Sequence, residues 1–363
     1  MVTYYDVGTG KTYATIMLAY ANVPADLVAT GTGDHIIRVY EGGTPTPEGG
    51  SLYVEDFSMF TTVADPSNRL IIQGMVSHEG QRGKGIILKS LTQPFIIAIN
   101  ENTHLLDLAF TGDRDFQDTG ISCFNYFEEE IDSLIDRCLI YDIIAQEEFT
   151  AYGISMESAT VRNTAVFNIV GELAYGIFQE STPDNTFTAK IYNCSVHNVR
   201  GLATGGDNRF GFGVFMFPQN QEKTIECINT VASGCYGEYN DENFYSPIEA
   251  TGNINVDYCV SEDDTSDDWG VLHNLINQDP DSDIKYVNTG EGTEDLHIQS
   301  GSVNIDSGTP TSITGTGDDW EKTTRPQGTK WDRGVQEFPF EGGCCNNCCC
   351  CVKRRWFNHG GTR

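Results

Sequence analysis

A ten-residue phrase written three times between residues 135 and 200 restricts the possible folds of this chain more than any other feature. Ile135-Asp-Arg-Cys-Leu-Ile-Tyr-Asp-Ile-Ile144 is followed by Val161-Arg-Asn-Thr-Ala-Val-Phe-Asn-Ile-Val170 and then by Ile191-Tyr-Asn-Cys-Ser-Val-His-Asn-Val-Arg200. Each copy opens on an apolar residue, places another five positions later (Ile140, Val166, Val196), and sets an Asp or Asn two beyond that (Asp142, Asn168, Asn198). The copies start 26 and then 30 residues apart. Repetition at such a period marks a stacked fold in which each unit buries its apolar residues only against its neighbours.

The rest of the chain agrees with an all-β reading. From His35 onward short β-branched runs follow one another, among them His35–Tyr40, Leu70–Gln73, Gly85–Lys89, Phe95–Asn100 and Leu105–Phe110, separated by Gly, Asn, Asp and Pro. No long helical pattern lies between them, so the strands are joined by turns rather than by crossover helices. Degraded copies of the phrase recur at Ile225–Val231 and Val256–Ser261, and residues 34–300 would give about ten coils stacked ~4.8 Å apart. Asn163, Asn168, Asn193 and Asn198 fall at equivalent places, where their amides can pair along the stack. Arg209-Phe-Gly-Phe-Gly-Val-Phe-Met-Phe217 alternates aromatic and small residues. It is expected to point its rings into the core.

Charge narrows the partners. Lys and Arg number 22 against 52 Asp and Glu, a formal charge of −30, which would repel nucleic acid and an anionic membrane surface alike. Neither a Sec-type signal nor a membrane span is expected from the sequence as read. Six of the twelve Cys crowd between Cys344 and Cys351, a distribution that suits synthesis in a reducing cytosol better than a disulfide scaffold.

Two apparent motifs fail on inspection. Gly8-Thr-Gly-Lys-Thr12 ends like a phosphate-binding loop, but Tyr5 occupies the place of its first Gly and no apolar strand precedes it. Ile16, Ala19, Tyr20 and Val23 instead have the spacing of an amphipathic helix ended by Pro24, expected to cap the first coil within residues 1–33. Asp279-Pro-Asp-Ser-Asp283 begins like a calcium loop, yet Ile284 stands where Gly is needed and Gly290 where Glu is needed.

Residues 279–338 carry a more specific pattern: Asp279-Pro280, Tyr286-Val-Asn288, Asp295–Ser302, Ile305-Asp-Ser-Gly308, Arg325-Pro-Gln-Gly328, Trp331-Asp-Arg-Gly334 and Glu337-Phe338, in that order. This resembles the closing coil of right-handed parallel β-helix proteins of the pectin-lyase-like kind, apart from Arg333, where the family usually has an apolar residue. The resemblance implies a right-handed parallel β-helix over residues 34–340 with its closing coil at 279–338. A Cys-rich basic tail, residues 341–363, lies outside it.

Such β-helices host polysaccharide lyases, glycosidases and the tailspikes of bacterial viruses. Asp113, Asp115 and Asp118, with Arg137 as a base, are candidates for a Ca²⁺-assisted lyase centre. Glu128, Glu129, Glu130 and Asp132 are candidates for a glycosidase pair. In a chain this acidic, a solvated face is the preferred reading for all of them, and no cofactor is expected unless Ca²⁺ binds there. Cys345 and Cys348 have the spacing of a zinc half-site with no second half. Together with Cys344, Cys349, Lys353, Arg354, Arg355 and Trp356 they read better as a docking tail for an acidic neighbouring subunit. The leading expectation is a non-enzymatic structural protein of a bacteriophage virion (tail fibre, tailspike or capsid decoration). It would be homotrimeric, made in the host cytoplasm and exposed after lysis, with other virion subunits and surface polysaccharide as partners. The alternatives are a polysaccharide lyase or glycoside hydrolase, and a secreted surface or filament protein.

Overall fold

The computed structural model describes residues 2–55, 60, 62–90, 95–99, 102–114, 118–123, 133–145, 149–157, 159–180, 188–202, 210–219, 224–237, 240–247, 250–269, 273–311, 313 and 317–339. The protein is all-β, and its strands form three long sheets whose order is that of a coiled stack. One turn illustrates the rest. Leu134–Asp136 lies in the first sheet, Leu139–Ala145 in the second and Thr150–Met156 in the third, and Thr160–Arg162 then returns to the first beside Leu134–Asp136. Strands one turn apart pair in parallel, with Ile135 beside Val161, Ile140 beside Val166 and Ile154 beside Ile177. The first and second sheets each contain nine described strands, and the third contains six.

The repeated phrase is therefore a first-sheet strand, a corner and a second-sheet strand. Its conserved spacing follows from two left-handed residues per copy. Arg137, Asn163, Asn193 and Asn229 turn the corner with φ of 52°, 49°, 51° and 55°, and Asp142, Asn168 and Asn198 kink the second-sheet strand with φ of 54°, 54° and 56°. Asn and Asp tolerate this region better than other residues with a β-carbon. At the corner the amides also pair along the stack: Asn163 donates to Asp136 Oδ1 at 3.0 Å, Asn193 to Asn163 Oδ1 at 3.4 Å and Asn229 to Asn193 Oδ1 at 3.1 Å. Inside the coil, Leu105, Ile135, Val161, Ile191, Cys227 and Val256 form one fully buried column in register. Fully burying such an aliphatic side chain contributes roughly 2 kcal/mol.

The N-terminal segment does more than the sequence indicated. Thr3–Val7 is a strand that pairs with His35–Val39 and opens the first sheet. The helix Ile16–Tyr20 follows it, with Ile16 and Ala19 buried in the coil's core. Thr15 caps the helix by accepting from Leu18 N, and the Glu55 carboxylate accepts from Ile16 N and Met17 N, each at 3.0 Å. Burial raises the Glu55 pKa, although these two amide bonds act to lower it.

The described residues of 279–338, expected as a closing coil, add no strand to the three sheets. Their described strands, Tyr286–Asn288 and Asp295–Ile298, pair antiparallel with each other. The segment runs as a strap over the outside of the second sheet, burying Ile284, Leu296, Trp320 and Val335 with Leu139, Tyr141, Ala165 and Phe167 of that sheet. Polar contacts fasten it at points far apart along the stack. Arg333 Nη1 donates to Cys259 O at 2.8 Å, Val335 N to Ser195 Oγ at 3.3 Å, and Arg82 Nη2 to Glu294 Oε2 at 2.7 Å. No helix among the described residues is long and apolar enough to cross a membrane.

Candidate binding face

The third sheet has a different outer surface. Its strands Thr150–Met156, Leu173–Glu180, Phe210–Phe217 and Asn240–Tyr245 are in parallel register, placing Tyr152, Tyr175, Phe212 and Glu242 in one row and Ser155, Phe178, Phe215 and Tyr245 in another. Ile154, Ile177, Val214 and Phe244 are fully buried in the coil's core, whereas the aromatic rows face outward. Phe210, Phe212, Phe215 and Phe217, expected to form an inward ladder, thus form an outward one. Gly213 explains the orientation. A β-carbon on it would lie 2.5 Å from Asn243 O and about 3 Å from Cys235 Sγ and Ala232 Cβ, so position 213 takes no side chain, the inward places go to Val214 and Met216, and the rings at 212 and 215 turn out.

The rings stack along the coil. Tyr152 and Tyr175 are 5.2 Å apart and inclined by 9°, Tyr175 and Phe212 are 5.6 Å and 26°, and Phe212 and Tyr245 are 4.6 Å and 19°. In the second row Phe178 and Phe215 stack at 5.0 Å and 21°, and Tyr175 meets Phe178 edge-on at 4.8 Å. Each such pair contributes about 0.5–1.5 kcal/mol beyond its buried area. The geometry also settles what the ladder presents to a partner. Ring faces are already covered by neighbouring rings, with Phe212 only 4% exposed and Tyr175 9%. Tyr152, Phe178, Phe215 and Tyr245 remain half-buried. A sugar stacks on a ring face, so this surface is poorly suited to sugar stacking. Glu242 is the only charged residue among the described outward side chains in these rows.

Sequence reasoning missed this face, although a signal for it was present. Ala151-Tyr-Gly-Ile154 and Ala174-Tyr-Gly-Ile177 are identical, and Gly211-Phe-Gly-Val214 is their relative.

The residues singled out by sequence fall elsewhere. Asp113 lies in the second-sheet strand Ala109–Arg114 and Asp118 in the third-sheet strand Asp118–Cys123, so the two are on different sheets. Their side chains, and all of Asp115, Glu128, Glu129, Glu130 and Asp132, lie outside the described residues, as do Cys344, Cys345, Cys348, Cys349, Lys353, Arg354, Arg355 and Trp356. Arg137, the candidate base, is held by Asp107 at 2.9 Å and Asp136 at 2.7 Å. Burial alone would lower its pKa, but these carboxylates raise it, so it serves as a fixed cation rather than a base. Lys11 of the apparent phosphate loop sits with Nζ 3.8 Å from the centre of the Tyr40 ring. Asp279 accepts from Asp281 N and Ser282 N, as a turn residue does.

Perturbed titratable groups mark candidate active sites, and two carboxylates of the strap are among them. Burial pushes Glu337 up to about 7 and Asp332 up to about 6. Both carboxylates are engaged by the backbone: Glu337 accepts from Gln327 N and Asp332 N, and Asp332 from Asp306 N and Phe338 N. Arg325, wholly buried, donates to Asp332 O and Gly334 O. This is a fastening node with its oxygens already occupied. Among the described residues no group of three or more His, Cys, Asp or Glu is placed to hold a metal ion.

Comparison with protein-family models, curated proteins and solved structures returned no match.

Proposed function

We propose that the protein is a non-enzymatic structural component of an extracellular assembly, built by apposing the aromatic faces of copies of this chain. The outward ladder of Tyr152, Tyr175, Phe178, Phe212, Phe215 and Tyr245 carries the proposal. At a net charge of −30, like copies repel one another over most of their surface. They can approach most closely where charge is sparse and the half-buried rings of Tyr152, Phe178, Phe215 and Tyr245 gain from leaving water. Within that class the best reading is a homotrimeric bacteriophage virion protein of tail-fibre, tailspike or capsid-decoration type, wound right-handed in the pectin-lyase-like manner. Parallel crossovers are right-handed in about 98% of cases, which supports that hand. The Cys-rich basic tail would dock on an acidic neighbour.

The test is the mass of the purified chain by light scattering across micromolar concentrations, with a Phe178→Ser/Phe215→Ser double variant alongside. We expect a trimer for the natural chain and a monomer of unchanged circular dichroism for the variant. A natural chain that stays monomeric, or one that generates new reducing ends or unsaturated uronates from polysaccharides, would overturn the reading.

A further inference from the structure

Cysteines recur at one place in the coil. The residue two positions after a first-sheet strand turns the corner toward the second sheet, and it is Cys138, Thr164, Cys194, Thr230 and Cys259 in successive turns. Each of these thiols reaches back to the middle of the first-sheet strand one turn earlier. Cys138 Sγ donates to Leu105 O at 3.6 Å, Cys194 Sγ to Val161 O at 3.7 Å, and Cys259 Sγ to Cys227 O at 3.3 Å. Leu105, Val161 and Cys227 belong to the same inward column. Only in the last case is the residue below also a cysteine, and there the two sulfurs lie 3.9 Å apart, both fully buried.

We infer that Cys227 and Cys259 are a latent disulfide that fastens the last turn of the coil to the turn before it when the chain meets an oxidising environment. Cys227 lies opposite Val256 in the sheet, and Cys259 follows three residues later, past the left-handed Tyr258, so the bond would join a strand to the next turn's corner, where the side chains already bring the sulfurs together. The sulfurs need to close by roughly 2 Å to reach bonding distance. Burial raises the Cys227 thiol well above its ordinary value, so in the closed coil it supplies no thiolate to an oxidant. The bond must form while the last turn is open. Opening it means releasing Asn253–Asp257, which among the described strands pairs only with Thr224–Ile228, together with the Arg333 bond to Cys259 O.

A small disulfide such as oxidised glutathione supplies the oxidising equivalents. One cysteine thiolate attacks it and releases a glutathione thiolate. The second cysteine then displaces the other glutathione from the mixed disulfide. The two protein thiols lose two electrons, their two protons pass to the released glutathiones, and one external S–S bond is exchanged for one internal bond. Cys138 and Cys194 face Leu105 and Val161 and serve as internal controls. The inference does not depend on the assembly proposed above.

The full chain, carrying Cys235→Ser, is unfolded with reductant, refolded in a glutathione redox buffer, alkylated and digested with trypsin. Cys227 and Cys259 then share a single peptide between Lys223 and Lys285 with no other cysteine. We expect this peptide to be unalkylated and lighter by the two thiol hydrogens, with Cys138 and Cys194 fully alkylated. The oxidised chain should melt roughly 5–10 °C above the reduced chain. That difference should vanish in Cys227→Val and in Cys259→Thr, which install residues the same two columns carry elsewhere. Alkylation of both cysteines, or their linkage to the tail, in a chain of native circular dichroism would overturn the inference. So would a melting shift that persists in Cys227→Val. Should refolding fail, the same peptide is read from native chain held with oxidised glutathione just below its melting temperature, with the same outcomes deciding.

Discussion

Trp320 of the strap lies directly against Gly80, a residue of the turn that leads to the second-sheet strand Ile86–Ser90. A β-carbon on Gly80 would stand 2.6 Å from Trp320 Cη2 and 2.8 Å from His297 Cε1, and Gly80 has φ of +64°. The strap is therefore seated by the absence of one methyl group. Gly80→Ala should cost about 3 kcal/mol, of which the left-handed conformation accounts for about 1 and the displaced indole for the remainder. Gly10→Ala, at φ +71° with open space around it, should cost about 1 kcal/mol. Urea unfolding followed by tryptophan fluorescence measures both. Equal losses would mean that the strap is not seated by this contact.

The strap also carries a pH-dependent contact. His297 Nδ1 is paired with Asp295, and Nε2 is 3.5 Å from Glu321 Oε1. Burial acts to lower the His297 pKa, but the two carboxylates outweigh it and hold the ring up to about 9 from an ordinary 6.5. A folded pKa above the unfolded one means that the contribution is complete below pH 6.5 and is lost as pH rises through 9. His297→Asn should therefore be less stable than the natural chain by on the order of 2 kcal/mol at pH 6, with the gap closing by pH 10. Paired denaturant curves across that range check it. A gap independent of pH would assign His297 a packing role only.

At the corner column, Asn193 is fully buried, has φ of +51°, donates to Asn163 and accepts from Asn229. Its two roles separate by substitution. Asn193→Gly keeps the backbone freedom and leaves two buried partners unpaired, for about 2 kcal/mol. Asn193→Ala adds the left-handed strain, for about 3 kcal/mol in total. If chemical denaturation ranked the two variants in the opposite order, backbone conformation would not be what selects Asn there.

These contacts mark what could be read in the chain before its fold was known. The first and second sheets were legible because the phrase spans a strand, a corner and a strand with no insertion, so Ile135, Val161 and Ile191 keep a fixed distance from Ile140, Val166 and Val196. The Asn positions were legible for the same reason, since left-handed turns select residue type directly. The third sheet was less so, because the intervals on either side of its strands vary in length and hide the Ala-Tyr-Gly-Ile repeat. The orientation of Phe210–Phe217 could not be decided from alternation, which defines two faces without saying which is inside. Residues 286–298 were read as part of a closing coil, whereas they pair antiparallel with each other, and their position over the second sheet depends on distant contacts such as Trp320 with Gly80. Thr3–Val7 was overlooked although Thr3, Tyr4, Tyr5 and Val7 all favour strands, because Asp6 interrupts the apolar run that sequence reasoning sought there.

The orientation of the third sheet gives the last prediction, since it reverses the usual expectation for glycine and phenylalanine. A β-carbon on Gly176 would run into Val196 Cγ1 and lie 2.6 Å from Gly213 O, both fixed within the coil. Gly176→Ala should therefore cost about 2–3 kcal/mol by overpacking. Phe178, two residues away on the outer face and half-buried, loses one stacked and several edge contacts on replacement by Ser, for about 1–2 kcal/mol, and leaves the interior untouched. A single added methyl group is thus expected to harm folding more than removal of a whole phenyl ring. The readouts separate as well: Gly176→Ala should lower the melting temperature without changing the assembly state of the folded fraction, while Phe178→Ser should weaken assembly at nearly unchanged circular dichroism. Should Phe178→Ser prove the more destabilising of the two in a monomeric chain, the ring must be buried within the subunit, and the outward ladder could not be its assembly face.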